Sequence, residues 1–124
     1  MKTKKIAENW IIQESFAIID REIGEHHLKP QEYAIARRAI HATADFDFLQ
    51  LLEFSPEAIA AGITALQDQC PIIADVTMVR QGIATLVRQT FDNPLLAAVE
   101  RATTAPPGRT RTEMGIIEIG RAHV

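Results

Sequence analysis

The 124-residue sequence holds one cysteine, Cys70, so no intramolecular disulfide and no cysteine-built zinc cluster can form. No apolar run approaches the roughly 18–20 residues that a membrane helix needs. Aromatic residues are only 6% of the chain, and 13 Lys+Arg stand against 16 Asp+Glu for a net charge of −3. That balance argues against a nucleic-acid binder working through a basic face. There is no phosphate-binding or dinucleotide glycine pattern, no G-x-S-x-G elbow and no internal repeat. Met1-Lys2-Thr3-Lys4-Lys5 starts like a signal peptide, but Glu8 and Asn9 break the stretch behind it and no cleavage site follows. The cytoplasm is the expected compartment, with neither membrane nor nucleic acid as partner.

What is present is the mix of an ordinary globular domain, 47% hydrophobic and 23% charged. Ile6, Trp10, Ile11, Phe16, Ala17, Ile18 and Ile19 recur mostly three or four apart and predict a helix over residues 5–23, closed by Gly24. Pro30 opens a second helix over residues 31–44. The short apolar run 48–54 is expected to be a strand. Ser55-Pro56-Glu57 signals a helix start, with the helix running to Asp68. Residues 70–75 read as a buried parallel strand, with Cys70 as a small core residue. Residues 76–82 read as a turn or short helix and 83–90 as another strand. Asn93-Pro94 signals a further helix through Thr103, residues 104–109 a loop, and a last helix begins near Thr110. Helices alternating with short apolar strands define an α/β chain with a mainly parallel sheet, too thin to be a complete one.

His41 is the titratable residue whose neighbours suggest chemistry. Arg37 and Arg38 lie four and three residues before it and Asp45 four after, all within reach of one helix face. The cations disfavour imidazolium and the carboxylate favours it. An imidazole so placed can donate a proton to an anionic ligand that arginines hold. The same pattern also describes a surface histidine in a charge ladder. Asp75 ends the predicted strand, where ligands gather in open α/β sheets, or else caps the turn that follows. Gly108-Arg109-Thr110-Arg111-Thr112 places two cations at a helix entrance, as an anion site or as a solvated loop. Ser15 lies within the first helix with no hydrolase signature around it. His26 and His27 are adjacent and diverge, so no metal site is expected.

Taken together, several stretches resemble the precorrin-8X / cobalt-precorrin-8 methylmutase family. They are Glu14-Ser15-Phe16-Ala17-Ile18-Ile19, Arg38-Ala39-Ile40-His41-Ala42-Thr43-Ala44-Asp45 and Phe54-Ser55-Pro56-Glu57-Ala58-Ile59. They continue with Pro71-Ile72-Ile73-Ala74-Asp75-Val76-Thr77-Met78-Val79-Arg80-Gln81-Gly82-Ile83 and Gly108-Arg109-Thr110-Arg111-Thr112, in the family's order. The segment Val87-Arg88-Gln89-Thr90-Phe91-Asp92-Asn93-Pro94 resembles the cyanobacterial branch. The resemblance implies an isomerase of cobalamin biosynthesis that moves a methyl group from C-11 to C-12 of the corrinoid. The product is hydrogenobyrinic acid or, with cobalt, cobyrinic acid, and no separate cofactor is needed. It implies His41 as general acid, with Ser15, Asp75, Met78 and Arg111 at the substrate. Charge alone adds Arg38, and with it Arg37 and Arg80, as substrate-binding partners for the peripheral carboxylates. The implied architecture is the N-terminal part of a three-layer sandwich, a mainly parallel sheet flanked by helices, in a homodimer. A corrinoid-binding protein without turnover, or a small interaction module, is the alternative.

The family's later I-G-N-A-P-T-A-L type segment has no counterpart here. The closing Ile119-Gly120-Arg121-Ala122-His123-Val124 is what ATC GGA AGA GCA CAC GTC, the start of a common sequencing adapter, encodes; a natural frayed tail is the alternative. Residues 1–118 are therefore expected to be a partial methylmutase domain and 119–124 a non-native tail. Such a chain would expose apolar sheet surface and is expected to be poorly stable and inactive.

Overall fold

The computed structural model describes residues 10–122. Its elements are α1 (Trp10–Ile23), α2 (Pro30–Thr43), α3 (Phe48–Leu51), α4 (Ala58–Gln67), β1 (Ile72–Ala74), α5 (Thr77–Gln89), β2 (Leu95–Ala97), a 3-10 turn (Ala98–Arg101) and α6 (Arg111–Ala122). The chain divides into two compact units, Met1–Ala61 and Gly62–Val124, with the boundary inside α4.

In the first unit, α1 turns Ile12, Phe16, Ile19 and Ile23 to one side, and Ile19 is buried. The predicted stretch 5–9 lies outside the described residues. Gly24 closes α1 at φ +66°, a conformation that costs a residue without Cβ little, and its N–H donates to the Asp20 carbonyl at 3.0 Å. Pro30 sits in the first turn of α2, where its missing N–H is no loss, and Lys29 N–H donates to Glu32 Oε1 at 2.9 Å. Ala36 and Ile40 are the buried positions of α2. The helix ends at Ala44, left-handed at φ 57°, with its N–H on the Ile40 carbonyl.

The strand expected over 48–54 is instead the single helical turn α3. The cause is local: Asp45 Oδ1 accepts the Asp47 N–H at 2.9 Å, and the Asp47 carbonyl then accepts Gln50 and Leu51 N–H, also at 2.9 Å. The expected helix after Ser55-Pro56-Glu57 forms as α4.

The second unit is built on a strand–helix–strand element. Strands β1 and β2 pair in parallel, Ile72 opposite Leu95, Ile73 opposite Leu96 and Ala74 opposite Ala97, with α5 as the crossover. The α/β class with a parallel sheet holds, as a two-stranded sheet among the described residues. Three expectations fail in detail. Residues 83–90 are helical, because Thr77, Arg80, Ile83, Ala84 and Val87 recur every three or four residues along the more buried side of α5. Asn93-Pro94 starts a strand, not a helix. Ile72 N–H already pairs with the Pro94 carbonyl at 2.8 Å, and Asn93 is buried with its Nδ2 donating to the Leu66 and Cys70 carbonyls at 3.0 and 2.9 Å. Strand β1 is buried at Ala74 only; Ile73 is 50% exposed, and Cys70 is exposed outside the core.

Helix α6 seats against the 3-10 turn through Gly115. A Cβ there would lie 1.7 Å from the Ala98 carbonyl oxygen, so only glycine permits this approach. Residues 119–122 continue α6, and Ile119 is buried; residues 123–124 lie outside the described residues.

Candidate active-site elements

On α2, Tyr33, Arg37 and His41 stand four residues apart and line one stripe facing α1. On α1, Phe16 and Asp20 stand four apart as well. The two rows interlock. Tyr33 Oη donates to Asp20 Oδ1 at 2.5 Å, and Arg37 Nη1 donates to Asp20 Oδ1 and Oδ2 at 3.2 and 3.0 Å. The Arg37 guanidinium carbon lies 4.4 Å from the Phe16 ring centroid, a cation–π distance. Phe16 in turn meets the His41 ring edge to face, centroids 5.3 Å apart and planes at 73°.

Hydrogen bonding from Tyr33 holds the Asp20 carboxyl below the usual carboxylate range, helped by Arg37 and opposed by partial burial. Burial, together with its bond to Asp20, pushes the Tyr33 phenol up to about 12.

His41 itself is half-buried, and its Nδ1 lies 3.3 Å from Arg38 Nη1. Arginine can only donate, so Nδ1 accepts and the proton of the neutral ring sits on Nε2. The helical spacing therefore brings Arg38, not Arg37, to the imidazole. Arg37 is committed to Asp20 and Phe16. Asp45 is not a partner of His41 either; α2 stops before it and its carboxylate receives the Asp47 N–H. Ser15 is half-buried on α1, next to Phe16.

In the second unit, Asp75 follows β1 directly and is exposed. The N-cap of α5 is Val76, without a side-chain cap bond, so Asp75 does not cap that helix. Met78 lies in the first turn of α5 and is 81% exposed. Arg80 forms a two-pronged pair with Glu100, whose carboxyl it holds low, and Thr77 Oγ1 adds a third bond at 3.2 Å. Arg111 donates from Nε to the Ala102 carbonyl at 3.0 Å and from Nη2 to the Val99 carbonyl at 3.1 Å. Thr110 and Glu113 cap α6 reciprocally: Thr110 N–H reaches Glu113 Oε2 at 2.8 Å, and Glu113 N–H reaches Thr110 Oγ1 at 3.1 Å. Among the described residues no group of His, Cys, Asp and Glu is arranged to hold a metal ion.

Sequence reasoning missed Asp20 and Tyr33 because their role arises between helices. The four-residue spacing of Tyr33, Arg37 and His41 was the available signal, as T-x-x-E was for the cap of α6.

A helix-rich α/β chain with an arginine-contacted imidazole suits acid–base work on an anionic ligand. Its relatives make that specific. The precorrin-8X methylmutase family model matches residues 10–123, and the chain belongs to that family. A cobalt-precorrin-8 methylmutase of Synechocystis is 52% identical over 123 residues, covering 88% of this chain and 57% of the relative. A precorrin-8X methylmutase of Sinorhizobium is 30% identical over 108 residues, covering 84% and 51%. The crystal structure of a precorrin-8X methylmutase from Thermus thermophilus superposes with a TM-score of 0.76 at 32% identity, covering 92% of this chain and 56% of the other. The chain thus spans a little over half the length of these relatives. The family resemblance stands, and the cyanobacterial character of residues 87–94 agrees with the Synechocystis match.

Proposed function

We propose that this chain carries the acid-bearing portion of a corrinoid methylmutase, an isomerase of cobalamin biosynthesis. The observation that carries the reading is the Arg38–His41 contact within a family match, which engages Nδ1 and leaves Nε2 as the nitrogen to meet the substrate. His41, as the imidazolium ion with Arg38 turned from Nδ1 to a substrate carboxylate, gives its Nε2 proton to the macrocycle and becomes neutral. The electron-poor macrocycle then breaks the bond from the methyl group to C-11 as that to C-12 forms, and the proton returns to His41. The shift is an isomerisation and uses no separate cofactor. Arg38, Ser15, Asp75, Met78 and Arg111 contact the substrate. Arg111 keeps three N–H donors beyond the two it spends on backbone carbonyls. Arg37 and Arg80, already bound to Asp20 and Glu100, leave the peripheral carboxylates to Arg38 and Arg111. The substrate is the cobalt form, as the name of the Synechocystis relative indicates for that protein. The working enzyme is a cytoplasmic homodimer, and turnover needs the further length that the relatives carry.

The test is turnover of cobalt-precorrin-8 and precorrin-8X, followed by absorbance at unchanged mass. Two proteins are assayed, the 124-residue chain and the same chain joined to the C-terminal portion of the Synechocystis relative. The expected result is no turnover by the first and turnover by the second, with His41→Ala lowering the rate roughly 10²–10⁴-fold, the usual contribution of an acid–base group. A joined chain that binds the corrinoid without converting it would make this a binding protein. Full activity in the joined His41→Ala variant would remove His41 as the acid.

A further inference from the structure

An unbroken path of side chains runs along the α1–α2 seam to His41. Tyr33 donates to Asp20, Asp20 receives Arg37 on both oxygens, the Arg37 guanidinium covers the Phe16 ring, and the Phe16 ring meets His41. At the far end His26 stacks on Tyr33, centroids 4.0 Å apart and planes at 11°. We propose that Phe16 is a positioning residue for His41, and that Arg37, clamped by Asp20 and Tyr33, fixes the Phe16 ring. This rests on the reading of His41 as the acid.

An imidazole on a helix keeps a broad, roughly two-fold χ2 torsion, and an acid must aim one nitrogen at one atom. His41 also meets Arg38, an exposed side chain with many rotamers. Phe16 is half-buried, has two side-chain torsions and is held from behind. Arg37 is suited to that task by shape. Its planar face lies on the ring while one edge grips a carboxylate, which lysine cannot do. Its Nε is buried with no hydrogen-bond partner among the described residues. A side chain placed only to pair with Asp20 would have no reason to bury that nitrogen beside an aromatic ring.

The experiment is NMR on the 124-residue chain without substrate, reading the side-chain three-bond couplings of His41 as a measure of its rotamer. One rotamer is expected in the natural sequence. Phe16→Leu should average the couplings, and Phe16→Tyr, which keeps the ring, should preserve them. Asp20→Asn, in which the altered group does not touch His41, should average them in part, and it carries the test if Phe16→Leu does not fold. Unchanged His41 couplings in folded Phe16→Leu or folded Asp20→Asn would overturn the positioning role alone. Turnover independent of His41 in the joined chain would overturn it together with the reading it rests on.

Discussion

The two units of this chain lean on polar side chains in different ways. In the first, the bonds run from side chain to side chain across two helices: Tyr33 to Asp20, Arg37 to Asp20, Arg37 over Phe16. In the second, the Arg80–Glu100 pair aside, many run from side chain to backbone: Asn93 to two carbonyls, Arg111 to two carbonyls, Gln69 to the Phe91 carbonyl. The first arrangement orients groups that can still meet a ligand. The second ties together short irregular segments that have little apolar area to bury, around small residues such as Ala74, Ala97, Ala98 and Gly115. A charged residue near a family motif therefore means different things in the two units.

The sharpest way to break this contrast is at the backbone contact. Gly115→Ala should cost about 3 kcal/mol or more, since the clash is with a carbonyl that cannot rotate away. Thermal unfolding would show it, and a loss below about 1 kcal/mol would mean that α6 shifts freely. Asn93→Ala comes next at about 2 kcal/mol, because it removes two buried hydrogen bonds and leaves the Leu66 carbonyl with the Gln69 N–H and the Cys70 carbonyl without the Asn93 amide. Denaturant unfolding at unchanged slope is the check. Asp20→Asn is expected to cost only about 1 kcal/mol, discounted because the Asp20 side chain is 44% exposed.

A titration sharpens the contrast from the other side. The chain has one tyrosine, so phenolate absorbance reports Tyr33 alone. The midpoint should be about 12, and Asp20→Asn should bring it back toward the ordinary value of about 10. The sign for stability follows. The raised phenol contributes stability that is present below about 10 and lost as pH rises through about 12. The lowered Asp20 contributes stability that is present above the ordinary carboxylate value of about 3.9 and lost as pH falls through its lower folded value. The smallest effect belongs to Arg38→Gln, exposed and bonded to His41, at about 0.5 kcal/mol or less.

Much of this was legible in the sequence where the signal is local. Gly24, Pro30 and the loop at 104–109 fall where turn and cap chemistry put them. The parallel α/β character followed from helices alternating with short apolar runs. What was not legible was set by non-local partners. Residues 48–54 hold too few positions to show a period, and an Asp45 turn decided for helix. Asn93-Pro94 carries a helix-start signature, yet carbonyls 23 and 27 residues away claim the asparagine. At the site, i+4 spacing placed Arg37 and Asp45 beside His41, but Asp20 on the other helix took Arg37, and the end of α2 removed Asp45. Cys70 looked like core from its apolar neighbours and is exposed, because β1 is covered on one side only.

The account turns on which nitrogen His41 offers. The most direct measurement is ¹⁵N NMR of the His41 ring in the 124-residue chain, alone and during titration with cobyrinic acid. The expected spectrum shows the proton on Nε2 with Nδ1 as acceptor toward Arg38, and the corrinoid perturbs Nε2. A proton on Nδ1 in the free neutral ring, or a corrinoid that moves Nδ1 and leaves Nε2 unchanged, would contradict it.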